Sequence, residues 1–223
     1  TDAEVVSLSQ SLANNCIYAI KGETIELNPK WEQYLNDNYH ILRDFTFWNL
    51  TVFLQKRNPN VPDVTSKLVK PILRDSLARQ RQYWNSYIDI NGSFECIYTG
   101  KILLKNENDL DHFVPWSFVS HNLLWNLLPA NSSINSSKNN NLPPLEMYLR
   151  PIAQIHKKAL QTIYPNNPNN KLLEDYLTLH NSISELVQLS DDDFFYIFQK
   201  TFSPMVQIAE NMGFKYWQNS IQL

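Results

Sequence analysis

The 223-residue chain has four glycines, two cysteines and a small net charge of −3. Each shortage excludes something. So few glycines argue against a Gly-rich loop that cradles a nucleotide. Cys16 and Cys96 cannot build a disulfide framework, so a reducing, cytoplasmic setting is expected. Neither lies in a CxxC pair, so cysteines alone cannot hold a zinc ion. No apolar run approaches the ~18 residues of a membrane span, and no charged-then-apolar leader is present, so no membrane partner is expected. The net charge speaks against a protein that coats DNA indiscriminately. It does not exclude a local basic face, which is what nucleic-acid binding requires. What the chain does have is 43% hydrophobic and 13% aromatic residues, enough for a well-packed core.

Periodicity predicts an α+β chain in which helices dominate. CIYAI and TIELN, separated by Lys21-Gly22-Glu23, read as a small N-terminal β-hairpin with Ile17, Ala19, Ile25 and Leu27 alternating along it. Asn28-Pro29 caps a helix whose buried face is Trp31, Tyr34 and Leu35. Residues 39–56 place Ile41, Phe45, Trp48, Leu50 and Val52 to Leu54 at helical spacing, as the core helix of the N-terminal half. A second long helix is predicted over 65–88, kinked or split at Pro71. Residues after Pro144 read as helices over 145–164, 171–189, 191–202 and 204–218, with Asp191, Asp192 and Asp193 at a helix N-terminus.

Charge is uneven. Residues 56–81 carry a net +5, from Lys56, Arg57, Lys67, Lys70, Arg74, Arg79 and Arg81 against Asp63 and Asp75, and the remainder of the chain sums to −8. Such a segment reads as a phosphate-contacting face or as a solvated helix face. Lys67, Lys70, Arg74, Arg79 and Arg81 are the candidate nucleic-acid contacts.

The segment Asp109 to Leu142, DLDHFVPWSFVSHNLLWNLLPANSSINSSKNNNL, carries the chemistry. Asp109–Val114 and Leu123–Leu128 read as two strands and Asn131–Asn139 as a short helix, closed by Pro143-Pro144. A strand and the helix after a hairpin converge on one cavity. Asp111 and Asn135 would then supply one carboxylate and one amide oxygen, the donor set of a hard cation such as Mg²⁺ or Mn²⁺ that keeps several waters. His112, with an ordinary pKa of about 6.5, can accept a proton from an attacking water at neutral pH. Asn126 would orient the imidazole by accepting from its N–H, and Lys138, three residues after Asn135 on the same helical face, would meet the phosphate. His121, between the two strands, reads as a loop residue or a DNA contact.

The order Asp-His, then Asn126, Asn135 and Lys138, resembles the HNH, or ββα-metal, endonucleases of the variant whose third motif residue is Asn. The spacing is similar to that of the HNH domain of CRISPR RNA-guided nucleases. CIYTGK, the DHFVPWSFVSHNLLWNLLP block, INSSKNNNLP, FLQKRNPNVPD and KWEQYL resemble bacterial stand-alone HNH proteins. The resemblance implies Asp111 and Asn135 as metal ligands, His112 as general base with Asn126 behind it, and a DNA-cleaving enzyme in bacterial defence or restriction. It leaves room for a partner protein or upstream domain and for a homodimer. Many HNH proteins hold a structural zinc with two CxxC pairs. Here those positions are Cys96 with Thr99 and Asn131 with Ile134, so no structural zinc is expected. Three regions follow: 1–90, helical with the hairpin and basic helix; 91–144, the nuclease core; and 145–223, helical. The alternatives are a catalytically silent ββα module that binds nucleic acid or a partner, and an RNA-cleaving enzyme.

Overall fold

The computed structural model describes residues 1–69 and 75–218. The backbone clusters into two compact units, Thr1–Asn58 and Pro59–Leu223. This division falls at neither of the boundaries expected from sequence, 90/91 and 144/145.

The first unit holds α1 (Asp2–Ser9), the hairpin β1 (Tyr18–Lys21) and β2 (Thr24–Leu27), α2 (Glu32–Asp37) and α3 (Tyr39–Arg57). The hairpin pairs antiparallel with Ala19 opposite Glu26 and Ile20 opposite Ile25. Asn28 caps the turn that begins at Pro29, accepting from the Lys30 N–H, while its amide donates to the Cys16 carbonyl at 2.9 Å. Most of the burial expected here is absent, Ala19 excepted. Ile41, Phe45 and Trp48 of α3 are 72, 67 and 67% exposed. Ile17, Ile25, Leu27, Tyr34, Leu50 and Phe53 are exposed as well, and Ala19, Asn28 and Thr51 are this unit's buried residues. The helical period of α3 is real, but its apolar stripe has no second layer within the unit to pack against.

The second unit contains α4 (Val64–Leu68), α5 (Ala78–Asn91), β3 (Phe94–Glu95), β4 (Ile102–Leu103), β5 (Asp109–His112), α6 (Trp116–Val119), β6 (Leu127–Ala130), α7 (Ser132–Lys138), α8 (Leu145–Asn166), a 3-10 helix (Lys171–Thr178), α9 (Ile183–Gln188) and α10 (Asp191–Asn211). The stretch expected as a helix over 65–88, kinked or split at Pro71, holds α4 and α5 among the described residues, and Pro71 itself lies outside them. The break expected at Pro204 does not occur, because α10 runs through it. Proline there removes one N–H, but Phe194, Phe198, Phe202 and Val206 bury one face of the helix throughout. The cap of α10 is Ser190, whose hydroxyl accepts from the Asp193 N–H. Asp191 and Asp192 instead pair with Lys157 and Arg150 of α8.

The core wraps the ββα unit formed by β5, β6 and α7. Trp84 of α5 donates its indole N–H to the Leu127 carbonyl at 3.0 Å. Phe202 of α10 meets Phe113 and Trp125 edge-on, with ring centroids 5.0 and 5.5 Å away. Leu142 pairs with residues 215–217 through two backbone hydrogen bonds of 2.8 Å, and the Trp217 indole reaches Ser137 of α7. Cys96 and Ile134 are buried in the same cluster.

His156 of α8 lies fully inside this core. Its Nδ1 sits 2.7 Å from the Tyr176 hydroxyl, and burial pushes its pKa down to about 3. The unfolded chain, with an ordinary His pKa of 6.5, binds this proton more readily than the folded one. His156 thus contributes stability that is complete above pH 6.5 and is lost as pH falls toward 3. Urea denaturation across that window should show falling stability, and His156→Phe should flatten the slope while lowering stability at pH 7 by about 1–3 kcal/mol through the orphaned Tyr176 hydroxyl.

Candidate active site

β5 and β6 pair antiparallel with Asp111 opposite Leu128 and His112 opposite Leu127. Alternation along β5 sends Asp111 inward, 3% exposed, and leaves His112 half-buried. The helix α7 begins at Asn131, whose amide oxygen accepts from the Ser133 N–H. Its last residue, Lys138, is fully buried.

The Lys138 ammonium donates to Asp111 Oδ1 at 2.9 Å and to the His112 carbonyl at 2.7 Å. Tyr98 donates its hydroxyl to Asp111 Oδ2 at 2.6 Å. Burial, and then the charge of Asp111, raise the Tyr98 pKa well above its usual range, so the hydroxyl keeps its proton. The Asp111 carboxylate is thus held between two donors from two different segments.

Asp111, His112 and Asn135 line one cavity of about 350 Å³, with Asn122, Trp116 and Asp75 around it. The His112 ring places Nε2 2.9 Å from Asn122 Oδ1. With the Nε2 proton donated to that oxygen, the neutral ring carries its lone pair on Nδ1. His121 lies nearby, accepts from the Leu123 N–H and stacks edge-on with Trp125. Burial, and then the neighbouring His112, lower its pKa to about 4, so it is neutral at pH 7.

The donor set for a cation is modest. Among the described residues no three His, Cys, Asp or Glu side chains form a metal-binding group. Asp111 still fits, because each carboxylate oxygen engaged by one donor retains a second lone pair. The Asn135 side chain forms no hydrogen bond to a described residue and faces the same cavity. One carboxylate with one amide oxygen suits a hard cation that keeps its waters better than it suits zinc.

Comparison with known proteins bears on the segment that holds these residues. Residues 96–144 match the family described as HNH endonuclease. Those residues form an HNH endonuclease domain. The CRISPR-associated endonuclease Cas9 of Listeria innocua serovar 6a is 37% identical to this chain over 86 residues, which are 37% of this chain and 6% of that protein. This chain therefore corresponds to a small part of that relative's length. No solved structure matches.

Within the HNH domain, the residues expected from sequence fall into three groups. Asp111, His112 and Asn135 meet at one cavity. Asn126 is elsewhere: it is fully buried, accepts from the Val114 N–H and donates to the Val114 carbonyl, both at 2.9 Å. It cross-braces the backbone after β5 through both atoms of its amide, and Asn122 is the side chain placed 2.9 Å from His112 Nε2. Lys138, expected to meet phosphate, is sealed in the core against Asp111. The side chains that sequence reasoning missed are Asn122 and Tyr98. Asn122 lies in the loop between the strands, where helical or strand spacing carries no information. Tyr98 belongs to the CIYTGK block, yet nothing local ties it to Asp111, 13 residues on.

The basic face is also redistributed. Arg81 donates to the Asn108 carbonyl at 2.8 Å, and Lys67 donates to the Pro62 carbonyl and the Ser120 hydroxyl. Arg79 is exposed, and Lys70 and Arg74 lie outside the described residues.

Three substitutions separate structure from chemistry here. Lys138→Met leaves Asp111 buried without its counter-charge and should destabilise the fold by about 3–5 kcal/mol in denaturant melts. The two asparagines should part company: Asn126→Ala should lower stability by about 1–3 kcal/mol, whereas Asn122→Ala should leave the melt nearly unchanged and alter the pH–rate profile. An Asn122 variant with a wild-type profile would remove its assignment as the imidazole's support.

Proposed function

We propose that the HNH domain hydrolyses DNA phosphodiester bonds with the help of a hard divalent cation, Mg²⁺ or Mn²⁺. The observation that carries this reading is the convergence of Asp111, His112 and Asn135 on one cavity, with His112 held through Nε2. Asp111 and Asn135 are the residues that would hold the cation, which when bound supplies charge neutralisation at the scissile phosphate. His112 takes the proton of the attacking water on Nδ1. Asn122 keeps the ring oriented. Lys138 and Tyr98 keep the carboxylate of Asp111 fixed, so that little reorganisation accompanies the reaction.

The name of the Listeria relative, a CRISPR-associated endonuclease, supports a place in antiviral defence, with a partner protein or further domain delivering the DNA. One such site cuts one strand, so double-strand cleavage would call for a homodimer or two binding events. Among the described residues no helix is long and apolar enough to cross a membrane. A cytoplasmic site of action accords with the two free cysteines. One observation favours a second reading: both oxygens of Asp111 already accept hydrogen bonds, as they would in a silent module that only binds nucleic acid or a partner.

Supercoiled plasmid distinguishes the two. With Mg²⁺ or Mn²⁺ the wild type should yield nicked or linear product, and His112→Ala should be slower by about 10²–10⁴-fold. Asn135→Ala should shift the metal concentration required for half-maximal cleavage upward. Intact plasmid under every metal, with wild type and variant alike, would establish the silent reading.

A further inference from the structure

The active-site cavity does not end at Asn122. A second cavity of about 490 Å³ shares that residue and continues past Arg79, Gln80, Lys171 and Asp175. A third, of about 340 Å³, shares Arg79, Lys171 and Leu172 with the second and is edged by Asn167 and Asn169. The three are neighbours in a trough: Asn122 lines the first and second, and Arg79, Lys171 and Leu172 line the second and third. Its wall is coupled to the site, because Gln80 donates to the Asn122 carbonyl at 3.0 Å while Asn122 holds the His112 ring.

The first and third cavities are mainly polar and the middle one is mixed, and the trough's cations are available. Arg79, near the start of α5, and Lys171, at the start of the 3-10 helix, are exposed and form no ion pair or hydrogen bond with a described residue. Two carboxylates also edge it. Asp175 is turned inward, accepting from the Leu124 N–H at 2.7 Å, with Arg79 close enough to oppose the upward push of burial on its pKa. Glu174 is exposed to solvent. Two separated cations with amides between them fit a chain of spaced phosphates better than one compact anion.

We propose that this trough is a second nucleic-acid subsite, which carries the backbone of the DNA strand to one side of the scissile phosphate, with Arg79 and Lys171 each meeting a phosphate. The assignment rests on the nuclease reading. It moves the contact surface from the basic run 56–81 to a pairing of that run's Arg79 with Lys171, 92 residues further along.

The test is binding rather than cleavage. In the full chain carrying His112→Ala, fluorescence anisotropy of a short fluorescein-labelled DNA, duplex and single-stranded, is measured from 50 to 200 mM salt. Arg79→Gln with Lys171→Gln should weaken binding about tenfold at the lower salt and reduce the slope of log K against log salt by roughly 1.4 to 1.8, the amount for two phosphates. Each single change should remove about half of that. Lys158→Gln with Lys200→Gln, an equal loss of charge on α8 and α10, should leave affinity and slope unchanged. An unaltered slope in the Arg79/Lys171 variant, or an equal drop in the control, would overturn the proposal. Failure of plasmid cleavage by the wild type would strike the nuclease reading and leave this binding result standing.

Discussion

The site depends on one buried ion pair. An ammonium group taken wholly out of water is costly unless its charge and its protons are matched. Lys138 meets that demand with one Asp111 oxygen and the His112 carbonyl, both on β5. The pair joins the last turn of α7 to the strand, and α7, at seven residues, is too short to hold itself in place. Asn135 stands one turn before Lys138, so fixing the lysine brings Asn135 to the cavity beside Asp111 and His112. Tyr98 closes the arrangement from the other side, and its raised pKa keeps it a donor.

Around that pair, packing positions the ββα unit. Cys96 and Ile134 lie in the hydrophobic core and Asn131 is the cap of α7. Trp84 holds β6, Phe202 presses on Phe113 and Trp125, and Trp217 reaches α7 while its backbone pairs with Leu142. These residues come from α5, α10 and the segment after α10. The small ββα unit is therefore stabilised from distant parts of the second unit, with large aromatic side chains prominent among the contacts.

Two asparagines show how chemistry and scaffold divide. Asn126 has no exposed surface, and leaving its amide unmatched would cost more than its two bonds to Val114 contribute. Its role is to hold the chain where it leaves β5. Asn122, half-buried at the cavity, can support an imidazole because the loop between α6 and β6 is long enough to fold back over His112. Asn122 also lines the neighbouring cavity that holds Arg79 and Lys171.

The residues themselves determined the α+β character, the hairpin, the order of the ββα unit and the grouping of Asp111, His112 and Asn135. The grouping of the three side chains came from the motif's resemblance to HNH endonucleases, and periodicity, caps and turns, which act over a few residues, give the elements. Burial on α3 was misjudged for the same reason: helical spacing shows that Ile41, Phe45 and Trp48 share a face, and says nothing of whether a second layer covers it. Only the tertiary structure decided that Lys138 neutralises Asp111, that Asn122 rather than Asn126 holds His112, that Tyr98 joins the carboxylate, and that Arg79 lies along one trough with Lys171. Those are meetings of side chains far apart in sequence. They are settled by which polar groups can be matched when the core closes, and no local pattern encodes that.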